Sequence, residues 1–182
     1  MSQSRDVPLG SQQRPMASHK ERVRFLEGLA VLVGCREQVG QELPDGKRPD
    51  VMRADSLGGW LFFGEAKSTE SPGNCFTQAR LESYLRWVRI HLMQDGHAAV
   101  FPLCCDSGRE TDRWGSTVVL LAKEVGVAPT HQGRQDFGCG LAVVWALFES
   151  RVGVSAVRGN EGPASTDPLR RFDIELGGRR QK

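Results

Sequence analysis

Apolar positions along this chain fall into helix-like and strand-like repeats, and the order of these repeats predicts an α/β fold. In residues 18–34 they recur at steps of three and four, which marks one face of a helix that begins at a serine and ends at a glycine. A short strand is predicted over residues 35–43, followed by a turn over residues 44–47. Strands at residues 50–55 and 60–67 then enclose a tight turn, so we expect them to form a hairpin.

The second half of the chain continues the alternation of helices and strands. A helix is predicted from about residue 75 to residue 93, where Gln78 shares one face with four apolar residues, Leu81, Leu85, Val88 and Leu92. Gln78 is therefore expected to face the sheet. Four further elements complete the pattern: a strand at 98–103, a helix at 112–126, a buried strand at 141–148 and an alternating edge strand at 172–176.

Chain length and composition predict one domain. The 182 residues are 39% hydrophobic and 25% charged, which is enough to bury one sizeable core. Residues 1–17 are rich in Ser, Gln and Pro, which predicts a disordered tail and not a signal peptide. We expect the core over residues 18–153, with residues 154–182 adding a loop, a closing strand and a basic tail to the same domain. No segment is apolar enough to predict a membrane span.

Charge and cysteine content exclude some classes of site. The net charge of +2 does not by itself indicate a nucleic-acid binder. The five cysteines are odd in number and form no CxxC pair, so neither a disulfide framework nor a zinc site is indicated. Free thiols are typical of a reducing compartment, and we expect a cytoplasmic protein.

The strongest chemical signal lies in the hairpin. A strand's period of two places Glu65 and Lys67 on the same face, and the hairpin would bring Asp50 toward Glu65. Carboxylates suit Mg²⁺ or Mn²⁺, which bind through one or two carboxylates plus water and substrate phosphate. This chemistry indicates phosphodiester hydrolysis. Lys67 would position or deprotonate the attacking water, or offset charge on the phosphate.

Each of these residues also has an ordinary interpretation. Asp50 follows Pro49, and the two residues are typical of a turn. Glu65 and Lys67 could form a solvent-exposed pair of little energetic value. The apolar strand before Glu65 argues against that second interpretation, because an unpaired carboxylate at the rim of a core is costly.

Pro49-Asp50, followed after a turn by Glu65-Ala66-Lys67, resembles the signature of the PD-(D/E)XK nuclease superfamily. The core of that superfamily runs helix, three strands, helix, strand, which is the order predicted over residues 18–105. The resemblance implies a restriction-endonuclease-like fold, in which helices flank a mixed central sheet and the C-terminal elements are additions. It also implies an Mg²⁺-dependent DNA endonuclease that accepts Mn²⁺ and leaves a 5′-phosphate.

The resemblance also implies a set of metal ligands. Asp50 and Glu65 would bind the ion together with the Ala66 carbonyl. Many such nucleases add a glutamate from the first helix, for which Glu21 is preferred here and Glu27 is the alternative. Glu37 and Glu42 on the predicted first strand are less favoured alternatives.

The helix after the motif carries an active-site glutamine in many members, and Gln78 has that place here. RecB-like members add a tyrosine four residues later, whereas this chain has Glu82 there and its tyrosine is Tyr84. This departure leaves the branch of the superfamily open, and Tyr84 is interpreted as structural.

DNA is the partner that the resemblance implies, with Lys47, Arg48 and Arg80 as candidates for phosphate contacts. A homodimer or a larger protein complex stays open, and no membrane partner is expected. Two alternatives remain: a catalytically silent DNA-binding or assembly subunit that keeps the nuclease fold, and an unrelated α/β interaction protein.

Overall fold

A computed structural model of the chain describes residues 18–40, 43, 46, 48–67, 77–94, 97–106, 109–138 and 141–150. The predicted tail at 1–17, the loop, closing strand and basic tail within 154–182, and most of the turn at 44–47 lie outside these residues. The elements in chain order are α1 (His19–Leu32), β1 (Glu37–Gln38), β2 (Val51–Ala54), β3 (Trp60–Ala66), α2 (Gln78–Leu92), β4 (Ala98–Asp106), α3 (Arg109–Glu124), β5 (His131–Gly138) and β6 (Leu141–Glu149).

The described strands form one mixed six-stranded sheet in the order β1-β2-β3-β4-β6-β5. Only β3 and β4 pair in parallel, and the other neighbours among the described strands are antiparallel. A parallel pair needs a crossover connection, and α2 lies between the two strands in the chain. The predicted α/β class, a mixed sheet flanked by helices, is confirmed.

Helices cover both faces of the sheet. On one face, α1 packs its apolar side against residues of β3, β4 and β6 in one core cluster. On the other face, α2 and α3 form a second cluster with the alternate residues of the same strands. Every residue of β3 is buried, as expected for a strand covered on both faces. The end of β3 therefore lies between α1 and α2.

The ends of the first two helices follow from local chemistry. Ser18 caps α1 with a full capping box, in which its side chain accepts from the Glu21 backbone and the Glu21 carboxylate accepts from Ser18. Gly34 follows the helix with a φ of 94°, a conformation that favours glycine. Thr77 caps α2, so this helix begins at Gln78. None of the described helices is long and apolar enough to cross a membrane.

Among the described residues, two strands differ from the prediction. The first covers only Glu37–Gln38, both exposed, instead of residues 35–43. The edge strand β5 was not predicted, because its polar residues lack the apolar alternation that marks a half-buried strand. It pairs with β6 through the backbone, and a close approach at Gly133 supports this pairing: a Cβ there would lie 2.3 Å from Cζ2 of Trp145.

Candidate functional site

The β2–β3 hairpin brings Asp50 to Glu65, as the spacing predicts. Val51 pairs with Gly64 in the antiparallel register, so the residue before Val51 lies beside the residue after Gly64. The Asp50 backbone N–H donates to Oε2 of Glu65 at 3.1 Å. In return, the Ala66 backbone N–H donates to Oδ2 of Asp50 at 2.8 Å. The Glu65 carboxylate is thus held by the backbone of Asp50, and the Asp50 carboxylate is held by the backbone next to Glu65.

Glu65 and Lys67 form a buried ion pair. Nζ of Lys67 lies 2.9 Å from Oε1 of Glu65, and the two side chains are 10% and 1% exposed. Burial raises the pKa of Glu65 above its ordinary value, and the negative charge of Asp50 acts in the same direction, while the Lys67 bond opposes both. The interpretation as a solvent-exposed pair is therefore wrong.

Arg80 adds a second cation at the same carboxylate. It projects from the first turn of α2 and places Nη1 3.6 Å from Oε1 of Glu65, with 37% of its side chain exposed. The sequence predicts Arg80 as a phosphate contact and not as a partner of Glu65. A partly exposed guanidinium beside the carboxylates is suited to such a contact, and that assignment stays a prediction.

Tyr84 makes a contact beside the motif. Its hydroxyl donates to the carbonyl of Arg48 at 2.9 Å, directly before Pro49-Asp50. Burial raises the pKa of Tyr84, and the nearby negative charge of Glu65 adds to the effect. The helical phase of the sequence could have identified Tyr84 as buried, because Tyr84 shares the buried face of α2 with Leu81 and Val88.

Two residues of α1 that are not among the predicted site residues lie close to the motif. Arg22 is 0% exposed, and its Nη1 donates to the carbonyl of Lys67 at 2.6 Å. His19 is about half exposed, with Nε2 3.6 Å from Oδ1 of Asp50. Helical phase could have identified Arg22, since it precedes the buried Leu26 by four residues.

Gln78 is not buried against the sheet. It is the first residue of α2 and is exposed, so the expected packing of this glutamine on the sheet is not observed. The physical reason is that Thr77 caps the helix here, and the first buried residue of α2 is Leu81. A catalytic role for Gln78 stays a prediction without support from burial.

The helix-1 glutamates have other partners in the structure. The Glu21 carboxylate accepts from the Ser18 backbone in the capping box, and this bond lowers the pKa of Glu21. Glu27 lies 3.6 Å from Nη2 of Arg53. Both glutamates thus contact residues other than Asp50 and Glu65, and the choice between them as metal ligands stays open.

Of the other two predicted DNA-binding residues, Arg48 precedes the hairpin and Lys47 lies outside the described residues. Arg48 is exposed, and its guanidinium donates to the carbonyl of Gly40 at 3.2 Å. Arg80, the third predicted phosphate contact, lies beside Glu65.

The donor set fits a hard divalent cation. Within the described part of the chain, no three side chains of His, Cys, Asp or Glu converge on one point. Mg²⁺, however, commonly binds through one or two carboxylates and completes its shell with water and substrate oxygens. Asp50 and Glu65 supply two adjacent carboxylates. In an extended strand the N–H and C=O of a residue lie on the same edge, so the Ala66 carbonyl lies on the edge that faces Asp50.

A groove of about 470 Å³ lies elsewhere, between α3 and the β5–β6 side of the sheet. Its lining is mostly apolar and includes Leu120, Val144 and Trp145, but none of the carboxylates described above. The groove and the carboxylate site are therefore separate features of the fold.

Comparisons with known protein families, with curated proteins and with solved structures found no match to this chain.

Proposed function

We propose that this protein is a metal-dependent DNA endonuclease of the PD-(D/E)XK type, which hydrolyses phosphodiester bonds with Mg²⁺ or Mn²⁺. The observation that carries the proposal is the meeting of Asp50, Glu65 and Lys67 at the end of a strand buried on both faces. A structural hairpin has no need of two adjacent carboxylates with a buried lysine, because such charges are costly to remove from water.

The order of elements supports the same proposal. From α1 to β4 the chain runs helix, three strands, helix, strand, and the motif lies on the second and third strands. We therefore propose a restriction-endonuclease-like core, with α3, β5 and β6 as additions that extend the sheet beyond β4.

Each residue has a distinct role in the proposed reaction. Asp50 and Glu65 would hold the ion with the Ala66 carbonyl, and the bound ion would supply Lewis-acid stabilisation of the phosphate. Lys67 would orient the attacking water or stabilise charge on the phosphate. Arg80 would bind a phosphate oxygen, since its partly exposed guanidinium can reach both solvent and Glu65.

One observation favours a second candidate, a DNA-binding or assembly subunit without catalysis. Both carboxylates already have partners within the protein: Lys67 and Arg80 lie at Oε1 of Glu65, and the Ala66 N–H occupies Oδ2 of Asp50. A site whose charges are paired internally can persist without a metal.

One experiment separates these candidates. Supercoiled, single-stranded and branched DNA are incubated with the full-length protein and Mg²⁺, Mn²⁺ or EDTA. We expect metal-dependent cutting that falls about 100-fold or more in Asp50→Asn and in Lys67→Met. Glu82→Gln and Lys123→Met are the matched controls, because Glu82 pairs with Arg86 and Lys123 is exposed on α3.

The outcomes are distinct. Wild-type protein that binds DNA but does not cut with either ion would favour the silent subunit. Wild-type protein that neither binds nor cuts any of the three DNAs would refute the nuclease proposal. Equal losses in the control variants would show that the effect is not specific to the site.

A further inference from the structure

Arg22 is the most unusual buried residue of α1. Its side chain is 0% exposed, although arginine is almost never fully buried unless it is paired. The residue lies in the first turn of the helix, one turn before Leu26, on the side that packs against the sheet. A guanidinium there requires a specific polar partner.

One partner of Arg22 is the backbone of the motif lysine. Nη1 of Arg22 donates to the Lys67 carbonyl at 2.6 Å, across 45 residues of sequence. The Lys67 N–H donates to the Cys104 carbonyl of β4 at 2.9 Å. The peptide groups on both sides of the Lys67 Cα are thus held, one by the sheet and the other by α1. From this fixed backbone the side chain reaches Glu65 at 2.9 Å.

Stability alone does not account for an arginine at this position. Burying a guanidinium costs free energy of desolvation that an apolar side chain packed at the same place would not. A carbonyl just past the end of a strand can also bond to water or to a neighbouring strand. What the arginine adds is a directed bond that fixes where the Lys67 backbone lies.

We propose that Arg22 is a positioning residue, which holds the Lys67 backbone so that the ammonium group is aimed at the carboxylate site. The inference rests on the proposed function only for its kinetic consequence. Its structural content, the local restraint of Lys67, is independent of catalysis.

The kinetic test compares Arg22→Met and Arg22→Lys with wild type. We expect kcat to fall about 10- to 100-fold in Arg22→Met with KM changed less than about threefold, because misplacement of a catalytic group mainly affects the chemical step. Arg22→Lys keeps a donor and should recover part of the loss. Arg24→Met, on the exposed face of the same helix, is the matched control.

A double-mutant cycle shows whether the effect passes through Lys67. In the Lys67→Met background, Arg22→Met should lower kcat by less than about twofold further, because the group that it positions is already gone. A full multiplicative loss in that background would overturn the inference and leave Arg22 as a general support of the fold.

A second readout does not depend on activity. Backbone amide exchange is followed by NMR in wild type, Arg22→Lys and Arg22→Met, with Val100 in the buried strand β4 as reference. We expect the Lys67 amide to exchange at least about tenfold faster in Arg22→Met relative to Val100. Equal changes at both amides would overturn the inference. If wild type fails to cut DNA, the proposed function falls and this measurement alone decides the role of Arg22.

Discussion

Replacing Lys67 with methionine tests whether the carboxylate site is as strongly coupled as its geometry indicates. The substitution keeps the apolar stem and removes the ammonium that lies 2.9 Å from Glu65, whose side chain is 1% exposed. Arg80 remains at 3.6 Å, but its longer separation and partial exposure make it a weaker partner. Glu65 is then left as a poorly compensated charge in the interior.

The stability lost in Lys67→Met has an upper limit, because the Glu65 carboxylate can take up a proton instead of staying charged. Keeping a carboxyl of ordinary pKa 4.5 protonated at pH 7 costs about 1.4 kcal/mol per pH unit, or roughly 3.4 kcal/mol. At pH 5 the same limit is about 0.7 kcal/mol. We therefore expect Lys67→Met to lower the free energy of unfolding by about 2–3 kcal/mol at pH 7 and by less than about 1 kcal/mol at pH 5.

Proton linkage determines whether Glu65 stabilises the fold at low or at high pH. Burial and the charge of Asp50 already raise the pKa of Glu65, and loss of Lys67 raises it further. A carboxyl with a raised pKa in the folded state binds its proton more tightly there than in the unfolded chain. Its contribution to stability is therefore present at low pH and lost as pH rises above 4.5.

Urea denaturation at pH 5 and pH 7 measures both values in wild type, Lys67→Met, Glu65→Gln and the double variant. Glu65→Gln combined with Lys67→Met should recover at least about half of the loss at pH 7, because no buried charge remains. Lys123→Met, an exposed lysine, serves as the control. A loss of equal size at both pH values, or no recovery in the double variant, would refute the electrostatic reasoning.

Three further predictions concern stability. Tyr84→Phe removes the hydroxyl that donates to a backbone carbonyl before the motif and should cost about 1–2 kcal/mol in urea denaturation; an unchanged midpoint would mean that water replaces the bond. Gly133→Ala should lower the free energy of unfolding by about 1–3 kcal/mol, because the new Cβ would lie 2.3 Å from Trp145. Gly115→Ala, which makes ordinary contacts inside a helix, should be neutral or stabilising. Equal effects of the two substitutions on the urea midpoint would contradict this prediction. Burial lowers the pKa of His91 to about 4, and the neighbouring imidazole of His97 acts in the same direction. The unfolded chain therefore binds this proton more tightly, and wild type should lose stability as pH falls from 6.5 toward 4. Because this ring is only partly buried, His91→Phe should reduce that acid-side loss by about 1–2 kcal/mol, and an identical pH profile would refute the assignment.

The hairpin and its charges could be predicted because strand geometry fixes them. A period of two and a short turn determine which residues of β2 and β3 meet, so the approach of Asp50 to Glu65 follows from sequence spacing alone. The edge strand β5 could not be predicted in this way. Its pairing with β6 depends on backbone hydrogen bonds, which every residue except proline can make and which leave no pattern in the sequence.

Helical phase gave an incomplete answer for α2. The steps from Gln78 to Leu81 and Leu85 correctly define one face of the helix. Phase states the direction in which a residue points, but not whether other residues lie beneath that turn. Gln78 occupies the first position after the cap, where the helix has not yet reached the core, and it is therefore exposed.

The residues that support the site carry a local signal, but their partners depend on the complete fold. Arg22 and Tyr84 each interrupt an apolar helix face, which marks them as buried polar groups. Arg22 bonds to the Lys67 carbonyl and Tyr84 to the Arg48 carbonyl, across 45 and 36 residues of sequence. Since α1 and α2 cover opposite faces of the sheet, the motif is held at both of its ends, from one face at Lys67 and from the other just before Asp50. The motif residues are thus held by side chains that lie outside the motif. The partners of these side chains can be identified only from the complete fold, in which helices pack on both faces of the sheet.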